Sequence, residues 1–156
     1  MVCAGEMGQG YMMLTIGQEH FAPTKIDVGQ FVRALTFTAN GEYLVTGGEK
    51  GVRVWQVKDG TQVARMETQR TVFSLATSKN GKWIAAGTER KMIVWKAETY
   101  EEVIKYGEGD YVCGVDFSPY STQLVAKTDN KTAVVWVFVT YHIWSRVTGS
   151  QSLVLP

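Results

Sequence analysis

The sequence predicts an all-β fold made of repeated four-stranded antiparallel units, and three observations carry that prediction. First, the stretch Val32–Trp55, VRALTFTANGEYLVTGGEKGVRVW, returns forty residues later as VFSLATSKNGKWIAAGTERKMIVW. Sliding residues 31–70 over 71–110 without a gap matches Val32 with Val72, Leu35 with Leu75, Asn40 with Asn80, Gly41 with Gly81 and Gly47 with Gly87. The same shift matches Glu49 with Glu89, Val54 with Val94, Trp55 with Trp95 and Val63 with Val103. Second, a third copy starts at Val112 and keeps register until one extra residue places Trp136 forty-one positions after Trp95. Self-similarity at such a period marks a repeat architecture. Third, each copy consists of short β-branched and aromatic runs separated by turn dipeptides, a pattern of strands rather than helices.

Taken in order, residues 1–23 form an N-terminal segment with a strand expected over Tyr11–Ile16 and a polar turn through Gly17-Gln18-Glu19 to Pro23. Thr24–Val28 lies at the same distance from the next valine as Gln62–Met66 and Glu102–Tyr106, so it reads as an outer strand. Val32, Ala34 and Thr36 then alternate with Arg33, Leu35 and Phe37, which predicts two opposed faces on the first strand of the unit. Asn40-Gly41 and Asn80-Gly81 tolerate positive φ and predict tight hairpin turns. Second strands follow at Tyr43–Gly47 and Trp83–Gly87, turns at Glu49–Gly51 and Glu89–Lys91, and third strands that end at Trp55, Trp95 and Trp136. Asp59-Gly60 turns into a fourth strand at Gln62–Met66.

The third copy lacks the Asp-Gly type of turn, and residues 139–156 match nothing in the repeat. No acidic residue follows Asp129, the last of the chain's fifteen. The expectation is a third unit without its fourth strand and a tail foreign to the repeat, read as an out-of-frame or unspliced end. Ser145–Pro156 and the first ten residues are expected to pack loosely.

Over residues 24–138 the chain resembles the WD-repeat β-propellers. The resemblance rests on the spacing of Trp55, Trp95 and Trp136, on Ser118-Pro119 with Thr38-Ala39 and Ser78-Lys79 at the same place, and on Thr128-Asp129-Asn130-Lys131-Thr132 before a strand. It implies an incomplete propeller arc with blades at about 31–70, 71–110 and 111–138, preceded by the outer strand 24–28. Two family features are replaced: Gln69-Arg70 or Gly109-Asp110 stands for the Gly-His pair, and Gln56, Lys96 or Val137 for the Asp after tryptophan. The family's full His-Asp-Ser-Trp hydrogen-bond network is therefore not expected. In such propellers an outermost strand from one end of the chain completes the blade formed by the other, and Tyr11–Val28 is expected to supply the outer half of a shared blade.

Composition narrows the function. At 156 residues, with 45% hydrophobic and 20% charged residues, the chain is an ordinary globular domain. A net charge of +1 with scattered lysines and arginines offers no basic stripe for a phosphate backbone, so no nucleic-acid partner is expected. Its longest apolar run, Ala133–Val139, is far short of the roughly 20 residues of a membrane-spanning helix, and no membrane partner is expected. Met1–Leu14 has neither the basic start of a signal peptide nor a glycine for myristoylation. Cys3 and Cys113 form no metal-ligand pattern and suit a reducing compartment, so the location is read as cytoplasmic or nuclear.

No catalytic constellation, cofactor motif or metal site is evident. His20 and His142 stand outside the repeats and away from any nucleophile. Gly47-Gly48-Glu49-Lys50-Gly51 lacks the phosphate-loop spacing. Trp55, Trp95 and Trp136, with Gly41, Gly81, Gly47 and Gly87, are periodic and read as structural positions. The family geometry implies that the turns before the first strand and between the second and third lie on one face, where partners bind. It would present Gln30, Phe31, Gln69, Arg70, Asp110 and Tyr111 from one set, and Glu49, Lys50, Glu89, Arg90, Lys91, Asp129, Asn130 and Lys131 from the other. Because aromatic residues and arginine dominate binding energy at interfaces, the partner-binding candidates are Phe31, Arg33, Arg70, Phe73, Arg90, Asp110 and Tyr111.

The resulting reading is a non-enzymatic scaffold for protein or peptide partners. Its alternative is a regulatory or gating propeller domain cut from a larger enzyme. Closed propellers hold four to eight blades, so the chain is expected to be a fragment or to complete a ring by association. Both end faces of the arc are expected to expose apolar side chains, and the uncharged run Ala133–Val139 to favour self-association or aggregation.

Overall fold

The computed structural model describes residues 11–14, 24–107, 111–129, 133–139 and 143–148, with side chains for 26–107, 111–129 and 133–135. Every described element is a strand: β1 Tyr11–Leu14, β2 Thr24–Asp27, β3 Val32–Phe37, β4 Tyr43–Gly48, β5 Gly51–Gln56, β6 Gln62–Met66, β7 Val72–Thr77, β8 Trp83–Thr88, β9 Met92–Lys96, β10 Glu102–Tyr106, β11 Val112–Phe117, β12 Gln123–Thr128, β13 Ala133–Val139 and β14 Ile143–Thr148. They form a two-stranded sheet, β1-β2, followed by three four-stranded antiparallel sheets in simple meander order, β3 to β6, β7 to β10 and β11 to β14. The all-β repeat fold expected from the sequence is the fold observed.

The sheets stack face to face through three apolar layers. Ile26, Val28, Leu44 and Trp55 fill the layer between the leading pair and the first four-stranded sheet, where Arg53 Nη1 also donates to the Val28 carbonyl. Val45, Val54, Val72, Ile84, Ile93 and Trp95 fill the next. Ala85, Met92, Val94, Val115, Phe117 and Leu124 fill the third. Full burial of a side chain such as Leu44, Ile84 or Leu124 contributes about 1.5–3 kcal/mol, so the layers hold the stack together. Polar groups add direct ties between neighbouring first strands. Thr77 Oγ1 donates to the Phe37 carbonyl at 2.6 Å, and the Val115 amide donates to Ser74 Oγ at 2.9 Å.

The hairpins between first and second strands are wider than the tight turns expected at Asn40-Gly41 and Asn80-Gly81. Thr38 pairs with Tyr43, so each loop holds four residues, and the Gly41 amide donates to the Thr38 carbonyl at 2.9 Å. Positive φ is needed only after the turn, at Gly41 and Gly81 (both 72°) and at Ser121 (57°) in the third unit. The hydroxyl at the loop's start explains Thr38, Ser78 and Ser118 sharing a position. Each accepts from the backbone across the loop: from Tyr43 at 3.1 Å, Trp83 at 2.9 Å and Gln123 at 3.0 Å.

The first strands correct the alternation read from sequence. Residues 33, 73 and 113 have no partner across the ladder, because register slips between Val32 and Ala34, Val72 and Ser74, and Val112 and Gly114. Such a bulge shifts the side-chain phase by one. Val32 therefore packs with Leu35 and Phe37 rather than sharing a face with Ala34 and Thr36.

The third sheet brings a further correction. A fourth strand does exist: β14 pairs antiparallel with β13 from Val134↔Thr148 to Val139↔Ile143. Ser145–Thr148, expected to pack loosely, thus belongs to a sheet; residues 1–10 and 149–156 lie outside the described residues. Strand pairing requires backbone donors and acceptors, not identity with the repeat, which is why a dissimilar segment fills the place. The apolar run Ala133–Val139 is paired along both sides, by β12 and by β14.

Trp55 and Trp95 are buried at equivalent registers, opposite Leu44 and Ile84, and Trp136 stands opposite Leu124. One link of the family's network is present: Trp55 Nε1 donates to Thr46 Oγ1 at 2.9 Å within the core. Ala86 and Ala126 occupy the Thr46 position in the next two sheets and have no hydroxyl to offer. Thr46→Val leaves a buried indole N–H without its acceptor and is expected to cost about 1–3 kcal/mol, read as a lower urea midpoint with unchanged slope. A midpoint equal to that of the wild type would show the bond to be dispensable.

Candidate partner-binding face

The bulges that break the alternation also build the most distinctive surface. An unpaired residue at the start of a strand has its side chain re-aimed out of the ladder. Arg33 and Phe73 occupy equivalent bulges in neighbouring sheets, and the Arg33 guanidinium lies over the Phe73 ring, 5.6 Å from its centroid. Phe73 in turn meets Tyr111, with ring centroids 5.8 Å apart and planes inclined at 44°. Arg33, Phe73 and Tyr111 thus form a ladder across three sheets. A cation over an aromatic face gains about 0.5–1 kcal/mol when exposed, so the ladder is a weakly held, accessible surface rather than core.

Tyr111 and Phe31 are 46% and 57% exposed, a large area for aromatic rings outside an interface. Cys113, at the third bulge, is exposed, with Sγ 3.8 Å from the Tyr111 carbonyl oxygen. Arg70 stands 3.9 Å from Glu89, a half-exposed pair worth about 0–1 kcal/mol, so the guanidinium is partly neutralised yet free to exchange partners. Arg90 is exposed, and Asp110 lies outside the described residues, as do Asn130 and Lys131. The structure joins Arg33, Phe73 and Tyr111 directly; Phe31 takes no part in these ring contacts.

Gln30, expected on the rim, is buried instead. Its Oε1 accepts from the Lys50 amide at 2.7 Å and its Nε2 donates to the Gly51 carbonyl at 3.3 Å, fastening the loop before β3 to the β4–β5 turn. This amide is a positioning element for the face, and nothing in its local sequence separates it from Gln69, which is exposed at a φ of 58°.

The opposite face holds a cleft of about 560 Å³ between the first and second four-stranded sheets, lined by Tyr43, Val54, Ile84, Asn80, Lys79 and Tyr100. Burial, with Tyr43 adding to it, pushes the Tyr100 phenol above its usual value. Nearby, a hydrogen bond and the charge of Lys96 hold the Glu101 carboxyl below its usual range. A depressed folded value means that the pair's support is present above the unfolded pKa and lost as pH falls through the folded one. Lys96→Ala is expected to move the Glu101 titration upward in an NMR pH series; an unmoved titration would remove Lys96 as the cause. No group of three or more metal-ligating side chains occurs among the described residues.

Comparison with known proteins agrees with this geometry. The family model described as WD domain, G-beta repeat matches residues 23–56 and 60–96. No curated protein sequence matches. Among solved structures, the chain is similar to the β-propeller domain of Cps50 (Swd1) from Myceliophteria thermophila, with TM-score 0.67 and 17% identity, covering 75% of this chain and 38% of that one. It is similar to the WD40 repeats of RRP9, with TM-score 0.68 and 18% identity over 92% of this chain and 43% of that one. It also resembles hydrazine synthase of Kuenenia stuttgartiensis, with TM-score 0.63 and 12% identity over 68% of this chain and 32% of that one. At these identities the likeness is one of fold, and one fold hosts many functions. The chain spans less than half the length of each. Residues 23–56 and 60–96 match the WD-repeat model, and the chain has the fold of a WD-repeat β-propeller.

Proposed function

We propose that this chain is a non-enzymatic interaction module that holds protein or peptide partners on the face bearing Arg33, Phe73 and Tyr111, in the cytoplasm or nucleus. The ladder carries the reading. It supplies an arginine and two aromatic rings, the residue types that dominate binding energy, at adjacent positions on rigid strands rather than on loops. Phe31, Arg70 and Arg90 extend the same face with an apolar ring and two cationic groups that suit a partner with acidic and apolar side chains.

The test is capture of partners by the immobilised chain, compared with Phe73→Ala/Tyr111→Ala and Arg33→Glu variants and with Lys79→Glu on the opposite face. Loss of a central anchor typically weakens binding by 2 kcal/mol or more, about thirtyfold. The ladder variants are expected to lose whatever proteins the wild type retains, while Lys79→Glu keeps them. Equal retention by all four proteins would overturn the assignment of this face.

A further inference from the structure

Each four-stranded sheet turns one face toward the sheet that follows it. In the first sheet this forward face carries Ala34, Tyr43, Val45 and Gly47, and in the second Ser74, Trp83, Ala85 and Gly87 hold the same registers. The glycine sets how closely the next sheet approaches. A Cβ on Gly47 would stand 2.5 Å from Val72 Cγ1, and a Cβ on Gly87 would stand 2.5 Å from the Val112 carbonyl oxygen. Both distances are below van der Waals contact, so the next sheet's first strand rests where any side chain would have to be.

The third sheet departs at that position. Lys127 pairs with Gly114 where Gly47 pairs with Ala34 and Gly87 with Ser74. Asp116 stands where Ala76 is buried in the second sheet, and Gln123 where Trp83 packs against the third. Lys127, Asp116 and Gln123 are all exposed, and among the described residues neither charge has an ion pair. The face that the sequence led us to expect as apolar does carry Val125, 40% exposed, with exposed Ala133 and half-buried Val135 beside it on β13, but these now stand among polar groups.

We propose that Lys127, with Asp116 and Gln123, is a stop against self-docking: it keeps the forward face of the third sheet from taking up a second copy of this chain head to tail with the close contact that joins the other units. Two separate penalties enforce it. The Lys127 stem fills the slot that glycine leaves open in the other units, and close docking would take an ammonium and a carboxylate out of water.

Lysine acylation of the intact chain, read residue by residue, tests this together with sedimentation. Lys127 is expected to react at the rate of exposed Lys79 and Lys58, with no slowing as the chain is concentrated about a hundredfold, because mass action would reveal any docked copy. The variant Lys127→Gly/Asp116→Ala/Gln123→Trp restores the glycine, small residue and aromatic of the second sheet. It is expected to self-associate at least about tenfold more tightly than the wild type. If that variant does not fold, Lys127→Gly alone is expected to associate more tightly by a smaller factor. Concentration-dependent protection of Lys127 in the wild type would overturn the proposal, as would a folded glycine variant that sediments like the wild type at every concentration.

Discussion

Gly87→Ala is expected to drive the third sheet off the second and to cost about 3 kcal/mol, near the upper end of overpacking penalties. The added Cβ would meet the Val112 carbonyl oxygen at 2.5 Å and Val112 Cγ1 at 2.9 Å. Backbone cannot rotate out of the way as a flexible side chain can, and Val112 is pinned at a bulge whose amides and carbonyls belong to the β11–β12 ladder. The strand must therefore retreat, and Val115, Phe117 and Leu124 lose their contacts with Ala85 and Val94 in the layer behind it. Gly41→Ala is the control. Its Cβ meets nothing within 4 Å, so only the strain of φ at 72° remains, about 1–2 kcal/mol. Urea midpoints of the two variants separate crowding from backbone strain. If Gly87→Ala falls no further than Gly41→Ala, close approach at this glycine does not set the spacing of the sheets.

Most of this architecture can be read in the chain, because strands, turns and repeat spacing are local properties repeated three times. Val32–Phe37, Val72–Thr77 and Val112–Phe117 all have a short run of suitable residues and a turn signal after them, and each is a strand. The bulge was harder to see. Its trace is the recurrence of large apolar residues at intervals of three and then two, as in Val32, Leu35, Phe37 and Val112, Val115, Phe117, where strict alternation would give intervals of two throughout. Reading one strand as simply alternating hides that trace.

Other features depended on partners far along the chain. β14 has no counterpart in the repeat, yet β13 offered a free ladder edge that a nearby segment of β-branched residues could satisfy. Gln30 looks like any polar loop residue until the Lys50 amide and Gly51 carbonyl are seen beside it. Lys127 in the place of two glycines is plain in the alignment, but its consequence follows only from the 2.5 Å approaches that the glycines permit. For the candidate face, residue types were enough to single out Arg33, Phe73 and Tyr111 individually. Their union into one ladder required the bulges, which aim Arg33 and Phe73 toward the same line.

Trp95→Ala is expected to have the largest effect on stability, about 3–5 kcal/mol, the usual range for removing a buried large aromatic side chain. Trp95 is 3% exposed and lies in the layer shared by the first and second four-stranded sheets, with Val45, Val54, Val72 and Ile93. Removing it leaves a void bounded by two sheets whose backbones are fixed by their own ladders, so the walls cannot collapse far, and the cost stays near the full transfer and cavity terms. Trp95→Phe retains most of the volume and is expected to cost less than half as much. Trp55 makes a useful comparison, because it is 5% exposed in the layer against the leading pair, and its loss also deletes the bond to Thr46. That layer has a two-stranded sheet on its far side, which can shift toward a void more readily than a four-stranded one. Trp55→Ala is therefore expected to cost less than Trp95→Ala despite the lost hydrogen bond. Equal or reversed losses, read from urea midpoints, would show that wall rigidity does not govern the cost and that the leading sheet is held as firmly as its neighbours.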